Sequence, residues 1–292
     1  MTALTPFQTL YDAEDGPAVP LPPGLRDIYG DLRLPRRPGQ PFIMGNFVTT
    51  LDGVVSLDAP GKSGGAEISG ANRHDRMLMG LLRALADVII VGAGTLRAVP
   101  RAIWTAEHIY PPLAEEFRGL RASLAKEAPP LNVFVTARGD LDLTLPVFLS
   151  GKAPVLIVTT PAGARAMGSA SLPSWVQIAV VDADDAVSAR AILACAERTR
   201  PSEVILVEAG PRLMGEFFAE RCLDELFLTL APQVAGRDGA SDRPGLVMGR
   251  VFAPDDPRWG TLMSVKRAAS HLFLRYQFDR SAREADWLGV AR

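Results

Sequence analysis

Cysteine is nearly missing: Cys195 and Cys222 are the only two in 292 residues. Two thiols cannot build a cysteine zinc cluster, and one pair is no disulfide scaffold. Histidine is scarce too. His74, His108 and His271 lie far apart with no ligand spacing, so no metal site is expected. No apolar run approaches the ~20 residues of a membrane span. The opening MTALTPFQTLYDAEDG lacks the basic and apolar regions of a secretion signal, and the expected location is the cytoplasm. Charge of one sign is not in excess: 31 Lys and Arg face 33 Asp and Glu, a net charge of -2. With no basic stripe and interleaved aromatics, nucleic acid is not an expected partner. The G-x-G-x-x-G fingerprint, the P-loop lysine motif and the G-x-S-x-G elbow are all absent.

What is present is material for a sizeable core, 48% hydrophobic and 22% charged. Residues 1–40 are rich in proline and charge (PAVPLPPG, RLPRRPG). They read as an N-terminal arm lying on the surface or on a partner subunit. Residues 41–292, without repeat or linker, read as one domain. PFIMGNFV (41–48) is the first strand, and 49–70 is a long glycine-rich loop of the kind that often carries function. A helix is predicted over 72–86, with Met77, Leu78, Leu81, Leu82 and Leu85 on one face and Ser69 or Asn72 as cap. Strands follow at 87–94, 131–136, 154–159, 175–181, 203–207 and 224–232. Helices are expected at 111–130 and 186–198, with others after the strands at 154–159 and 203–207. Residues 262–278 read as an antiparallel edge hairpin turning near 269–271. This alternation implies an α/β fold, three layers αβα around a mixed, mainly parallel sheet.

Two strand-to-helix turns carry glycine, VGAGT (91–95) and VEAGP (207–211). Ligands of parallel sheets sit at such turns, where bare backbone and a helix N-terminus attract phosphate. The same glycines also serve tight helix-on-strand packing. Glu208 reads either as a dipole-favoured acid at a helix start or as an acceptor for a ligand. Arg83 reads either as a helix C-terminal charge or as a phosphate clamp. Asp52–Gly53 reads as a turn pair.

Taken in order, TTLDGVVS, LLRALADVIIVGAGT, VEAGPRL and DELFLTLAPQVAG resemble the reductase domain of bacterial riboflavin biosynthesis, the 5-amino-6-(5-phosphoribosylamino)uracil reductases of the dihydrofolate-reductase-like superfamily. The likeness covers about residues 41–279. The zinc deaminase domain that precedes many members is not expected here, because 40 residues are too few and its H-x-E…P-C-x-x-C pattern is missing. The resemblance implies hydride transfer from NADPH to C1′ of a ribosylamino-pyrimidine phosphate. A dihydrofolate-reductase activity on folate is the alternative, and a non-catalytic NADP-binding sensor or scaffold the second. It implies that Thr49, Gly92, Gly94, Thr95, Thr136, Arg138 and the Gly210, Pro211, Arg212, Leu213 turn hold NADPH. Ser63, Arg83 and Glu208 would contact substrate, with the proton donor unnamed. Where the family has an acid pair before a proline, this chain has Ala98 and Val99, and Thr105 stands at a family arginine. Arg97 and Arg101 flank the gap as replacements. A homodimer is expected from the family and from the apolar strand HLFLRYQF, taken as an uncovered edge.

Overall fold

The computed structural model describes residues 4–279 apart from 36–37, 58, 60, 62, 169–171, 184–185 and 240–242. Among the described residues ten strands make one sheet: β1 (Gln8–Asp12), β2 (Phe42–Thr49), β3 (Val88–Gly92), β4 (Leu131–Thr136), β5 (Val155–Thr159), β6 (Val176–Val180), β7 (Val204–Val207), β8 (Glu225–Leu230), β9 (Gly260–Ala268) and β10 (His271–Phe278). Their order is β1-β9-β10-β8-β2-β7-β3-β4-β5-β6. Every pair from β8 to β6 is parallel, and β10, β9 and β1 join antiparallel. In β4 and β5 every residue is buried. Such continuous apolar runs are what a parallel strand needs when helices cover both its faces.

The helices are α1 (Pro23–Tyr29), α2 (Gly65–Ser69), α3 (Arg73–Leu85), α4 (Ala93–Ala98), α5 (Ala106–Ile109), α6 (Ala114–Ser123), α7 (Pro146–Leu149), α8 (Pro161–Met167), α9 (Ala189–Thr199) and α10 (Pro211–Ala219). One face of the sheet buries Met44, Ile89, Val91 and Phe227 against Leu25 of α1, Met77 and Leu81 of α3, Leu96 of α4 and Phe117 of α6. The other buries Ile43, Val88 and Ile90 against Ile192 and Leu193 of α9 and Met214 and Phe217 of α10. These are the three layers expected.

Helix α3 positions the site. Asn72 caps it, its Oδ1 accepting from the N–H groups of His74 and Asp75. Its predicted apolar face is buried, and Gly80 lets α6 come close: a Cβ there would sit 2.5 Å from Phe117 Cζ. The helix crosses the strands from β10, where Asn72 bonds His271, to the end of β7, where Arg83 bonds Glu208.

Two local expectations change. Residues 4–35 form β1 and α1 and bury Phe7, Leu25, Tyr29, Leu32 and Leu34 in the core. Proline spacing hid this, because Pro22 and Pro23 begin α1 rather than break it. The hairpin is also not an edge. β10 lies between β8 and β9, and β9 is covered by β1, so HLFLRYQF needs no second subunit to satisfy its backbone. The first segment is held there by charge as well as packing: Arg275 of β10 is buried between Glu14 and Glu225.

Candidate functional site

Strands β7 and β3 are neighbours, yet the helices that follow them leave in opposite directions. β3 leads into α4, whose Leu96 joins the α3 face, and β7 leads into α10, packed on the α9 face. Adjacent strands whose connections part in this way leave a crevice at their carboxyl ends, the usual ligand site of a parallel sheet. The two glycine turns line it. A Cβ on Gly210 would stand 3.5 Å from Thr95 Oγ1, and one on Gly92 would reach Leu213 Cδ2 at 3.8 Å and Gly210 N at 4.0 Å. Gly92 and Thr95 therefore lie against the 210–213 turn, with Gly94 beside Thr95 at the start of α4. Helices α8 and α9 are capped by the hydroxyls of Thr160 and Ser188, whereas α10 starts at Gly210 with no side-chain cap and Pro211 in its first turn. The first-turn N–H groups of Arg212 and Leu213 have no intrahelical acceptor. Open donors, bare backbone and a helix N-terminus fit the pyrophosphate of a dinucleotide.

Glu208 is the residue between β7 and this turn, and it is 7% exposed. Arg83, at 3%, grips it from α3. Its Nη2 lies 2.7 Å from Oε2, and its Nε lies 3.1 Å and 3.2 Å from the two oxygens. The remaining nitrogen, Nη1, points at the carbonyls of Ile103 and Thr105 at 3.4 Å, and the guanidinium carbon sits 5.8 Å over the Trp104 ring. Two residues each expected to face substrate thus face each other. Arg83 thus directs its nitrogens at protein acceptors and holds Glu208 in place. Asn46, on β2, adds its Nδ2 at 3.5 Å from Glu208 Oε1. Sequence reasoning missed Asn46, although a lone amide within the apolar run PFIMGNFV was the available signal.

At the end of β4, Thr136 donates to Asp140 Oδ1 at 2.7 Å and accepts from the Gly139 N–H. Asp140 Oδ2 takes Arg97 Nη1 at 2.7 Å, and Arg138 beside it is exposed. Asp140 was not foreseen. It lies within a polar loop, where nothing in the pattern marks it. Arg97 is therefore engaged on the β4 side of the crevice, while Arg101 is exposed. Thr105 caps α5 through its hydroxyl, which accepts from His108 N.

The glycine-rich loop is tied by its own hydroxyls. Thr49 Oγ1 approaches the carbonyls of Thr50 and Val54, and Ser63 Oγ donates to Ala59 O at 2.9 Å. Asp52–Gly53 is the turn pair expected, with Gly53 at φ 79°. The Thr50 hydroxyl and the N–H groups of Ala235 and Gly236 bond Asp52 and hold its carboxyl well below the usual carboxylate range. Loop 50–55 is thereby fastened to the segment after β8. Val99 Cγ1 lies 3.0 Å from where a Gly64 Cβ would stand, so an apolar side chain meets the loop at the family's acid position. Among the described residues no group of three or more His, Cys, Asp or Glu could hold a metal ion, and no helix is long and apolar enough to cross a membrane.

The same fold is found in solved structures. A diaminohydroxyphosphoribosylaminopyrimidine deaminase/5-amino-6-(5-phosphoribosylamino)uracil reductase of Thermotoga maritima is 22% identical with a TM-score of 0.61, covering 82% of this chain and 57% of its own. A pyrimidine reductase-like protein of Corynebacterium diphtheriae is 19% identical with a TM-score of 0.61, over 82% of this chain and 92% of its own. The riboflavin biosynthesis reductase Rib7 of Saccharomyces cerevisiae is 14% identical with a TM-score of 0.54, over 82% and 90%. The chain spans little more than half the length of the Thermotoga protein and nearly all of the other two. No curated protein matches it. The sequence matches the RibD C-terminal domain over residues 41–266, well over half its length, and the chain belongs to that family.

Proposed function

We propose that the protein is an NADPH-dependent reductase that delivers hydride to C1′ of a ribosylamino-pyrimidine phosphate, as in riboflavin biosynthesis. Family membership supports the reaction class. One structural observation carries the site: the open first turn of α10 and the Glu208–Arg83–Asn46 cluster adjoin at a single crevice. A dinucleotide phosphate and a polar substrate would then lie side by side. When bound, the reduced nicotinamide supplies hydride, and the protein supplies position and electrostatics.

The chain's own groups divide the work. Arg212 and Leu213 offer N–H donors to the pyrophosphate, and Gly92, Gly94, Thr95, Gly210 and Pro211 give it close approach. Thr49 closes the β2 side. Thr136 and Arg138, with Arg97 beside them, stand where a 2′-phosphate distinguishes NADPH from NADH. Glu208 is held rigid by Arg83 and Asn46, so it meets substrate hydroxyls as a fixed acceptor rather than a mobile one. Ser63 borders the loop over the substrate. A cytoplasmic homodimer belongs to the same proposal.

The test is NADPH oxidation by the pure protein with the ribosylamino-pyrimidine phosphate and with dihydrofolate. Turnover of the pyrimidine at a kcat/KM of ~10⁴ M⁻¹s⁻¹ or above is expected. Turnover of dihydrofolate alone would move the activity to folate, and cofactor binding with neither would make the protein a sensor.

A further inference from the structure

The corner at the end of β4 adjoins the crevice through a run of contacts. Thr95 stands against Gly210, and a Cβ on Gly94 would lie 3.9 Å from Arg97 Nη2. Arg97 reaches in turn to Asp140, and Asp140 to Thr136. β3 and β4 run in parallel register with Gly92 beside Val135, so Thr136 and the first glycine turn leave the sheet side by side. The loop that carries Asp140 is firmly set. A Cβ on Gly139 would run into Gly163 O, and Thr160 Oγ1 donates to Ala137 O at 2.7 Å. Residues 137–139 are thus pressed onto the first turn of α8, which fixes where Asp140 follows.

The protons on these groups decide what the corner can offer. A threonine hydroxyl has one proton and two lone pairs. The Thr136 proton goes to Asp140 Oδ1 at 2.7 Å, and one lone pair takes the Gly139 N–H at 3.0 Å. Thr136 therefore has no proton left for a phosphate, but it can still accept. Arg97 Nη1 carries two protons. They face Asp140 O at 3.3 Å and Asp140 Oδ2 at 2.7 Å, so this nitrogen is taken as well. Each carboxylate oxygen holds one of these donors and keeps a lone pair. The Asp140 side chain is 49% exposed, so a ligand can reach it. Dinucleotide-binding folds set such an acid on the ribose hydroxyl of NAD, and an arginine on the 2′-phosphate of NADP. Here both kinds stand together: Asp140 for the one, Arg97 Nη2 and the exposed Arg138 for the other.

We infer that Asp140 is a specificity-determining residue of the cofactor corner: its carboxylate gives a ribose hydroxyl an acceptor, so the protein takes NADH as well as NADPH. This rests on the dinucleotide reading under Proposed function. A 2′-hydroxyl brings a proton, which Asp140 and Thr136 are both free to accept. A 2′-phosphate brings acceptors and more negative charge. It is drawn by Arg97 and Arg138 and repelled by Asp140, and it must compete with Asp140 for Arg97. Specificity is the difference between the two affinities: the arginines favour NADPH, and the carboxylate narrows their effect.

The experiment measures binding of NADH and of NADPH to the full chain by isothermal titration, without substrate, in wild type, Asp140→Asn and Arg97→Met. Wild type should bind the two with Kd values within about tenfold of each other, the worth of one charge-assisted hydrogen bond. Asp140→Asn keeps the shape and removes the charge. It should raise the Kd for NADH about tenfold and lower the Kd for NADPH. Arg97→Met should act in the opposite sense, raising the Kd for NADPH and sparing NADH. Both side chains are about half exposed, so neither change disturbs the core. Residues that merely shaped the loop would alter both cofactors together. Parallel shifts for NADH and NADPH in the two variants would therefore overturn the inference, and so would a wild type whose preference for NADPH exceeds about tenfold. A wild type that binds neither dinucleotide would overturn the cofactor reading and this inference with it. One that binds both as expected and reduces no pyrimidine would overturn the substrate reading alone and leave the role of Asp140 standing.

Discussion

Arg83 and Glu208, 125 residues apart in the chain, close a buried pair with 2.7 Å between Nη2 and Oε2 and a second contact through Nε. The pair ties α3, which runs from β10 to β7, to the residue just before the turn that opens α10. Removing one member strands a charge where water does not reach.

Glu208→Gln and Arg83→Met should therefore each cost about 3–5 kcal/mol of stability, and the double variant less than the sum. Urea unfolding of the four proteins gives the coupling. Strict additivity would mean that the two side chains do not depend on each other.

Gly210→Ala should leave the melting temperature nearly unchanged, since the added methyl stands at an ordinary 3.5 Å from Thr95 Oγ1. It should still raise the Kd for NADPH about tenfold, the loss of one charge-assisted hydrogen bond, because the methyl occupies the floor that a pyrophosphate would approach. Isothermal titration would decide. Unaltered affinity would place the dinucleotide elsewhere.

Asp140 brings a negative charge to the end of β4, where Arg97 and Arg138 offer positive ones. Arg138→Ala should weaken NADPH about tenfold with little change for NADH. Asp140→Ala should do the reverse, tightening NADPH by releasing Arg97. Equal shifts for both cofactors in either variant would remove the 2′-phosphate from this corner.

The Asp75 carboxyl has a consequence for stability that needs no substrate. Its folded value, about 6, lies above the ordinary 3.8, so the native state holds the proton more tightly than the unfolded one. Its contribution is full at low pH and is lost as pH rises through about 4 to 6. The shift of roughly two units corresponds to about 3 kcal/mol. Asp75→Asn should gain stability relative to wild type as pH increases across that window and keep the gain at pH 8. Taking the difference between the two proteins cancels the similar slope from Glu225, whose carboxyl is also raised by burial. A pH-independent difference would mean that Asp75 titrates normally.

The parallel strands and the two glycine turns could be read from the chain because their causes are local: apolar runs of strand length, two of them leading into glycine. What could not be read depends on distant partners. QTLYD alternates too weakly to declare β1, and it is a strand because β9 waits for it. HLFLRYQF looks like an edge until β8 and β9 are placed on either side. Asn46 is a single polar residue in an apolar run, and only the pairing of β2 with β7 brings it to Glu208. Arg83 and Glu208 were each visible as sites, but nothing along the sequence says that they bond each other.

β1 has a temporal consequence as well. The Gln8 side chain accepts from Arg267 at 2.6 Å across 259 residues of chain. At a synthesis rate of ~5–20 residues per second, roughly 13–50 s separate the emergence of the two. Throughout that interval Phe7, which ends up 4.8 Å from the Phe273 ring with its edge toward it, has no such surface to rest on. β1 is thus synthesised long before the strand it pairs with and is among the last of the described strands to find its place. A nascent chain halted before residue 260 has neither the β9 partner of β1 nor the Phe273 ring that Phe7 packs on.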